Sequence, residues 1–343
     1  MGLAPYGEVQ ETWLESFCKG YESIHNGDTY VDVLKILGEE IGLNFNANKR
    51  FGEKLGRDIA ATSQKAFEEV FLKHAKPFLE EYPNLPICIS GGCGLNITLN
   101  TRIAQEFNRK VFVGPNPNDC GIAAGMLLNE FKPEKPVSLT YSGPLLFDVD
   151  QLGEYINSSN FSSSSILDLS ILAQDIIEGK IVGVAKDRSE HGPRALGNRS
   201  ILCNPAIKDM KDTLNSKVKN REAYRPFAPV VRLEDVNKFF EWIDSSEHMN
   251  FSPLVREEWR NKLASITHID FTARIQTVTK DQNSFLYDLL TELDSKTGIG
   301  VLLNTSFNVA GKPILNTLKD AFHIFETTKM DSLVIENTYI TKI

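Results

Sequence analysis

Leu85-Pro-Ile-Cys-Ile-Ser90, then Gly91-Gly-Cys-Gly-Leu-Asn96, then Ile97 to Phe107 form the stretch on which the fold turns. The first segment is an apolar run of strand length, the glycines break regular structure, and helical spacing resumes at Ile97. The unit recurs at once. Lys110-Val-Phe-Val-Gly114 reads as a strand, Pro115-Asn-Pro-Asn-Asp119-Cys-Gly121 as its loop, and Ile122 to Asn129 as an Ala-rich helix. Two consecutive strand-loop-helix units predict an α/β domain whose ligand groups sit at the carboxyl ends of the strands.

Upstream, Phe51, Leu55, Ile59, Ala66, Val70, Phe71 and Phe78 follow helical spacing between Asn48 and Glu81, so one long or two abutting amphipathic helices are expected. Met1-Gly-Leu-Ala-Pro-Tyr-Gly7 is a compact Gly and Pro loop with no element before it, as though the chain started in mid-domain. Downstream, Lys132-Pro-Glu-Lys-Pro136 and Ser142-Gly-Pro144 mark a linker, because prolines in that density exclude regular structure. The division is placed at residues 136–142, with one domain over 1–135 and another over 143–343. In the second, Ser158 to Ser165 reads as loop, Asp168 caps a helix closed by Gly179, and Ile181 to Ala185 is a buried strand. Thr272 to Val278 and the end of Gly300 to Ser306 alternate with period two, so this part is also mixed α and β.

The 343 residues carry a net charge of -8, which excludes a general nucleic-acid or anionic-membrane surface. No apolar run approaches the roughly 18 to 20 residues that span a bilayer, and no signal peptide precedes the first element, so a cytoplasmic protein is expected. Cys18, Cys88, Cys93, Cys120 and Cys203 include no Cys-x-x-Cys pair and are expected as reduced thiols, mostly filling core. The six histidines form no i, i+4 pair; His191 alone falls in a chemically suggestive segment.

That segment is basic. Between Lys180 and Arg232 there are 12 Lys and Arg against 5 Asp and Glu, the reverse of the whole-chain balance. Arg188, Arg194, Arg199, Lys217, Lys219, Arg221 and Arg225 are interleaved with Gly192-Pro193, Gly197-Asn198 and Pro226-Phe-Ala-Pro229. Loops of fixed shape aim side chains, and Arg forks with Lys point charges suit a polyphosphate or acyl phosphate. A solvated basic face is the alternative. Asn304-Thr-Ser306-Phe-Asn308 follows an apolar strand and is equally a turn or a set of polar ligands. Ser90 to Gly94 has the physics of a phosphate loop but lacks the Lys-Ser/Thr ending of a Walker A motif. By pattern alone Asp119 is more often a helix cap than a metal ligand.

Together Met1 to Gly7, Ser90 to Asn96, Asp119 to Gly125, Glu190 to Ser200, Arg221 to Pro229, Thr272 to Val278 and Asn304 to Asn308 resemble, in order, the O-carbamoyltransferase family of nodulation and antibiotic-tailoring enzymes. The resemblance implies the end of an actin-like (Kae1-like) ATPase domain followed by a YrdC-like α/β domain. It implies that carbamoyl phosphate and ATP, with Mg2+, yield carbamoyl adenylate, and that an Fe2+-containing domain passes the carbamoyl group to a hydroxyl acceptor. On this basis Arg194, Lys219 and Arg225 are the catalytic candidates, and Arg188, Arg199, Arg274, Asn304, Ser306 and Asn308 bind carbamoyl phosphate and adenylate. Gly91, Gly92 and Asn96 fall on the nucleotide loop, and Asp119 on an iron ligand, reversing the pattern-based preference for a cap.

The family's N-terminal lobe, with a His-x-x-x-His iron motif and part of the ATP site, has no counterpart in the 343 residues, which leaves the iron site incomplete. A fragment and a lobe supplied by another polypeptide both fit this, and the separate lobe or a second copy of the chain is the expected protein partner. His191 stands where an aromatic or apolar residue is usual, Lys186-Asp187 where Gln-Gly is usual, Phe271 where Gly is usual and Lys312 where Glu is usual. The alternatives carried forward are a threonylcarbamoyl-adenylate synthase-like enzyme and a non-catalytic nucleotide-binding module.

Overall fold

A computed structural model of the chain describes residues 1–42, 53–158 and 162–342. The described chain forms two compact units, one of Met1–Ile87 with Thr98–Val111, the other of Cys88–Ile97 with Phe112–Ile343.

In the first unit the expected helical region is a single helix, Lys54–Glu81, with Pro77 inside its last turns. Ala66 is fully buried and packs in a cluster with Phe17 and Leu37 of the helices Glu11–His25 and Tyr30–Ile41. Phe51, expected on the same face, lies outside the described residues. The opening Gly and Pro loop is folded, not frayed. Gly7 lies so close to the Arg57 carbonyl that a Cβ would stand 2.0 Å from its oxygen, and the Glu8 amide donates to Asp58 Oδ1 at 2.9 Å.

The strand-loop-helix units form as expected. β1 (Ile87–Ile89) and β2 (Val111–Val113) make a two-stranded sheet, followed respectively by helices Ile97–Glu106 and Ile122–Phe131. The rest is one mixed sheet of β3 (Ser162–Ile166), β4 (Val182–Ala185), β5 (Arg199–Cys203), β6 (Ala228–Arg232), β7 (Gln276–Val278), β8 (Val301–Ser306), β9 (Ser332–Ile335) and β10 (Thr338–Lys342). Its order is β3-β10-β9-β4-β5-β8-β6-β7. The pairs β4–β9 and β6–β7 run parallel and the others antiparallel. An α/β architecture is therefore established.

Two expectations need correction. The serine-rich segment is not loop throughout: Ser162–Ile166 is an edge strand, because pairing with β10 satisfies its backbone and an edge tolerates polar side chains. Cys88, Cys93 and Cys120 are exposed, and of the five free thiols Cys203 alone is buried, its thiol pushed up by desolvation. Residues 140–144, which overlap the expected linker, hydrogen-bond to the segment after β4. Gly143 N donates to Ser189 O and Ser189 N to Pro144 O, both at 2.9 Å. Tyr141 Oη donates to Leu196 O at 3.0 Å.

Side-chain parity explains where the site falls. On one face of the large sheet Val182, Val184, Leu202, Val230, Val278 and Leu302 pack under helices Leu169–Ile177 and Ser284–Thr297. Asp168 starts the first of these helices by accepting from the Ser170 and Ile171 amides. Asn304 and Ser306 lie two and four residues beyond Leu302, so they share its face, as do their cross-strand neighbours Ser200, opposite Ser306, and Ala228, opposite Asn304. The face thus passes from apolar under the helices to polar at the end of β8.

Asp187 and Phe271, where the resemblance has glycine, keep left-handed backbone with φ of 50° and 63°. An aspartate tolerates this region; for a phenylalanine it costs about 1–2 kcal/mol, and the ring lies under the Arg260 guanidinium, 4.5 Å away.

Candidate active site

The polar end of the face is roofed by the loop from Glu190 to Asn198. Its shape comes from one carboxylate: Glu190 Oε1 accepts from the amides of Leu196 (2.7 Å), Asn198 (2.8 Å) and Arg199 (3.2 Å). A carboxylate that gathers three amides fixes a loop without any regular structure. Arg199 braces it from outside. Its Nη1 donates to Lys186 O and Asn198 O at 2.8 Å and its Nη2 to Asp187 O at 3.0 Å, while the whole side chain is buried.

The loop carries Arg194, and the segment leading into β7 carries Arg274. Neither guanidinium has a hydrogen bond or an ion pair among the described residues, and the Nε of each is buried without a partner. Burial lowers the pKa of both; Arg274 is pressed further by Arg194 and then Arg221. Two such guanidiniums held close together, with Arg221 near, fit an anion as the missing partner. Arg221 is partly accounted for. Its Nε donates to Asn215 Oδ1 at 2.8 Å, its guanidinium stacks 4.6 Å from the Phe227 ring, and burial with Arg225 nearby lowers its pKa to about 10.

Lys219 ends a turn of π-helix, Asn215–Lys219, and is buried. Its ammonium donates to Asn308 Oδ1 (2.7 Å), Asn308 O (3.0 Å), Ser306 Oγ (3.2 Å) and the Ser306 carbonyl. Desolvation, then repulsion from Arg221, brings its pKa down to about 7. Beside it opens a cavity of about 610 Å³ lined by Lys219, Arg221, Glu222, Arg225, Ser306 and Asn308 among others. Three cations face one carboxylate there, and Arg225 is exposed with its Nε 2.9 Å from Glu222 Oε2.

The deepest part is an amide pair. Asn304 is wholly buried; its Nδ2 donates to Ala195 O at 3.2 Å and to Gln276 Oε1 at 2.8 Å. Gln276 Nε2 in turn donates to Leu196 O at 2.8 Å. Asn304 Oδ1 and the Ser200 hydroxyl are buried without partners.

Two family models match the chain, Carbamoyltransferase N-terminus over residues 1–128 and Carbamoyltransferase C-terminus over residues 173–342. The chain belongs to the carbamoyltransferase family. Nodulation protein NolO of Bradyrhizobium diazoefficiens is 35% identical across 98% of this chain and 64% of its own length. Nodulation protein NolNO of Sinorhizobium fredii is 36% identical across 100% of this chain and 52% of its own length. The 3'-hydroxymethylcephem-O-carbamoyltransferase of Streptomyces clavuligerus is 35% identical across 80% of this chain and 53% of its own length. The chain thus spans between 52% and 64% of the length of these relatives.

In this carbamoyltransferase-family chain the structure brings together Lys219, Arg225, Ser306 and Asn308 around the cavity, while Arg194 and Arg221 each act on Arg274. Arg188 is exposed, its carbonyl taken by Asn198 Nδ2. Gly91 has φ of 90° and opens a turn of 3-10 helix, Gly92–Leu95. The amides of Gly91, Gly94 and Asn96 donate to Pro117 O, Gly91 O and Cys93 O, so these three are taken up within the fold. Asp119 lies exposed on the turn Asp119–Gly121 and caps no helix with its side chain. Among the described residues no group of three or more His, Cys, Asp or Glu is placed to hold a metal ion, so these residues do not by themselves fit iron and no step is derived through it. Nor is any described helix long and apolar enough to cross a membrane. His191 hydrogen-bonds Ser142 Oγ at 3.0 Å through Nδ1.

Sequence reasoning missed Gln276, Glu190 and Ser200 as site residues. Gln276 carried a signal: period two puts it on one face with Arg274 and Val278, an uncharged polar side chain in an otherwise buried strand. Glu190 carried none, because its role exists only once the loop has closed around it.

Proposed function

We propose that this chain takes part in O-carbamoyl transfer, binding carbamoyl phosphate and ATP and forming carbamoyl adenylate for a hydroxyl acceptor. The observation that carries the reading is the unpartnered pair Arg194 and Arg274, with Arg221 acting on both Arg274 and the buried Lys219. Balance requires one water: carbamoyl phosphate yields carbamate and phosphate, and a carbamate oxygen then displaces pyrophosphate from the α-phosphorus of ATP; Mg2+ carried on the ATP phosphates would offset part of their charge. Both steps place negative charge on a departing phosphate or pyrophosphate. Arg194 and Arg274 stabilise that charge, Lys219 holds a phosphate oxygen while Ser306 and Asn308 hold Lys219, and Arg225 guards the open side. The relatives' names support the group transferred, and the acceptor is set by pocket shape outside the shared motifs.

The test is carbamoyl-phosphate-dependent exchange of label between pyrophosphate and ATP. Exchange by the chain that collapses in Arg274→Ala is the expected result; absence of exchange, or exchange that depends on threonine and bicarbonate instead, overturns it.

A further inference from the structure

The water that carbamate formation consumes must lose a proton, and neither the arginines nor the donating ammonium of Lys219 can take it. His268 can. Its Nδ1 lies 2.9 Å from Thr272 Oγ1, whose single proton is already given to Asp270 Oδ1 at 2.7 Å. The hydroxyl oxygen is left to accept, so Nδ1 must carry the imidazole proton. Two backbone bonds hold the same turn: His268 N donates to Thr272 O at 2.8 Å and Phe271 N to His268 O at 3.0 Å. The tautomer is thereby fixed with the lone pair on Nε2, and that atom is buried without a partner among the described residues.

The ring also lies at the site. Thr272, Arg274 and Gln276 alternate along extended backbone and share one face, so the bond to Thr272 brings the imidazole to the face that carries Arg274. Burial lowers the pKa of His268, Asp270 raises it, and Arg274 and Lys211 lower it again, to about 4, so the ring is neutral at pH 7. A phosphate bound at Arg274 offsets that guanidinium and raises the basicity of Nε2.

We propose that His268 is the general base of carbamate formation, with Thr272 and Asp270 as the relay that orients it. This rests on the carbamoyl-phosphate reading above and adds to it the group that handles the proton. The water oxygen bonds to the carbonyl carbon of carbamoyl phosphate as one of its protons passes to Nε2. The bond from that carbon to the phosphate oxygen breaks, and phosphate leaves toward Arg194 and Arg274. Carbamate, hydrogen phosphate and one released proton account for every atom and charge.

The test is phosphate release from carbamoyl phosphate by the full chain with ATP and Mg2+, above the rate without protein, alongside calorimetric affinity for carbamoyl phosphate. His268→Asn keeps an N–H for Thr272 and loses the lone pair at Nε2. The expected result is a rate about 10²- to 10³-fold lower, with affinity changed by less than about threefold. Thr272→Val, which frees the tautomer, is expected to lose about tenfold or more in rate, and Thr272→Ser less than about threefold. A rate that survives in His268→Asn, or a rate and an affinity that fall together there and in Thr272→Val, overturns the base while leaving the binding reading standing. Binding by the unaltered chain without phosphate release also overturns the base alone; absence of binding removes both.

Discussion

The glycine-punctuated loops Gly91–Asn96 and Glu190–Asn198 both follow apolar strands, and both read as anion sites in the sequence. Their hydrogen bonds differ in what they leave over. In the first, the amides of Gly91, Gly94 and Asn96 turn to carbonyls of the same fold region. In the second, a carboxylate from inside the loop gathers the amides, and what is left unpaired is the guanidinium of Arg194, joined by Arg274 and the buried Asn304 oxygen. Glycine marks a turn in either case. Which loop has unspent polar atoms depends on partners that arrive from distant parts of the chain.

The sharpest way to break this contrast is to remove one group from each region. Arg274→Ala is expected to lower carbamoyl-phosphate-dependent exchange by about 10²- to 10³-fold, as the loss of one preorganised charge-stabilising donor does, whereas Gly92→Ala, which meets no atom within 4 Å, changes it by less than about threefold. A comparable loss in both variants would erase the distinction.

Lys219 gives a pH signature. With its pKa near 7, the ammonium is charged below that value and neutral above it, so affinity for sulfate, whose own charge is constant, falls as pH rises through about 7. Lys219→Met is expected to bind sulfate about tenfold more weakly at pH 6 and to lack this trend, as calorimetry across pH 6 to 8 would reveal. Stability moves in the opposite direction. The folded pKa lies below the unfolded value of about 10.4, so the unfolded chain holds more protons between about pH 7 and 10, and this group favours folding increasingly as pH rises through that window.

Smaller effects separate shape from charge. Glu190→Gln keeps an acceptor but loses its charge, and urea denaturation should register a loss of about 1–2 kcal/mol. Phe271→Gly should gain about 0.5–1 kcal/mol, because glycine adopts φ of 63° without strain; a net loss would mean that the contact with Arg260 outweighs the backbone.

The sequence was most legible where local chemistry decides the outcome. Apolar runs and glycine breaks located β1, β2 and β8, and Asp168 capped its helix as its type and place require. Ser162–Ile166 was misread because serine favours turns locally, and the pairing that makes it a strand comes from β10 at the other end of the chain. In the site, the cluster of cations was visible from composition and from fixed-shape loops. That Arg199 gives its Nη groups to backbone while Arg194 and Arg274 keep theirs unpaired was not, since the two kinds of arginine differ only in which carbonyls close around them.

The central claim is that the unpaired cations bind an acyl phosphate, and titration of carbamoyl phosphate into the chain and into Arg194→Met tests it most directly. The account predicts saturable binding that weakens at least tenfold in the variant, a fall matched by inorganic phosphate. Equal binding by the two proteins would contradict it.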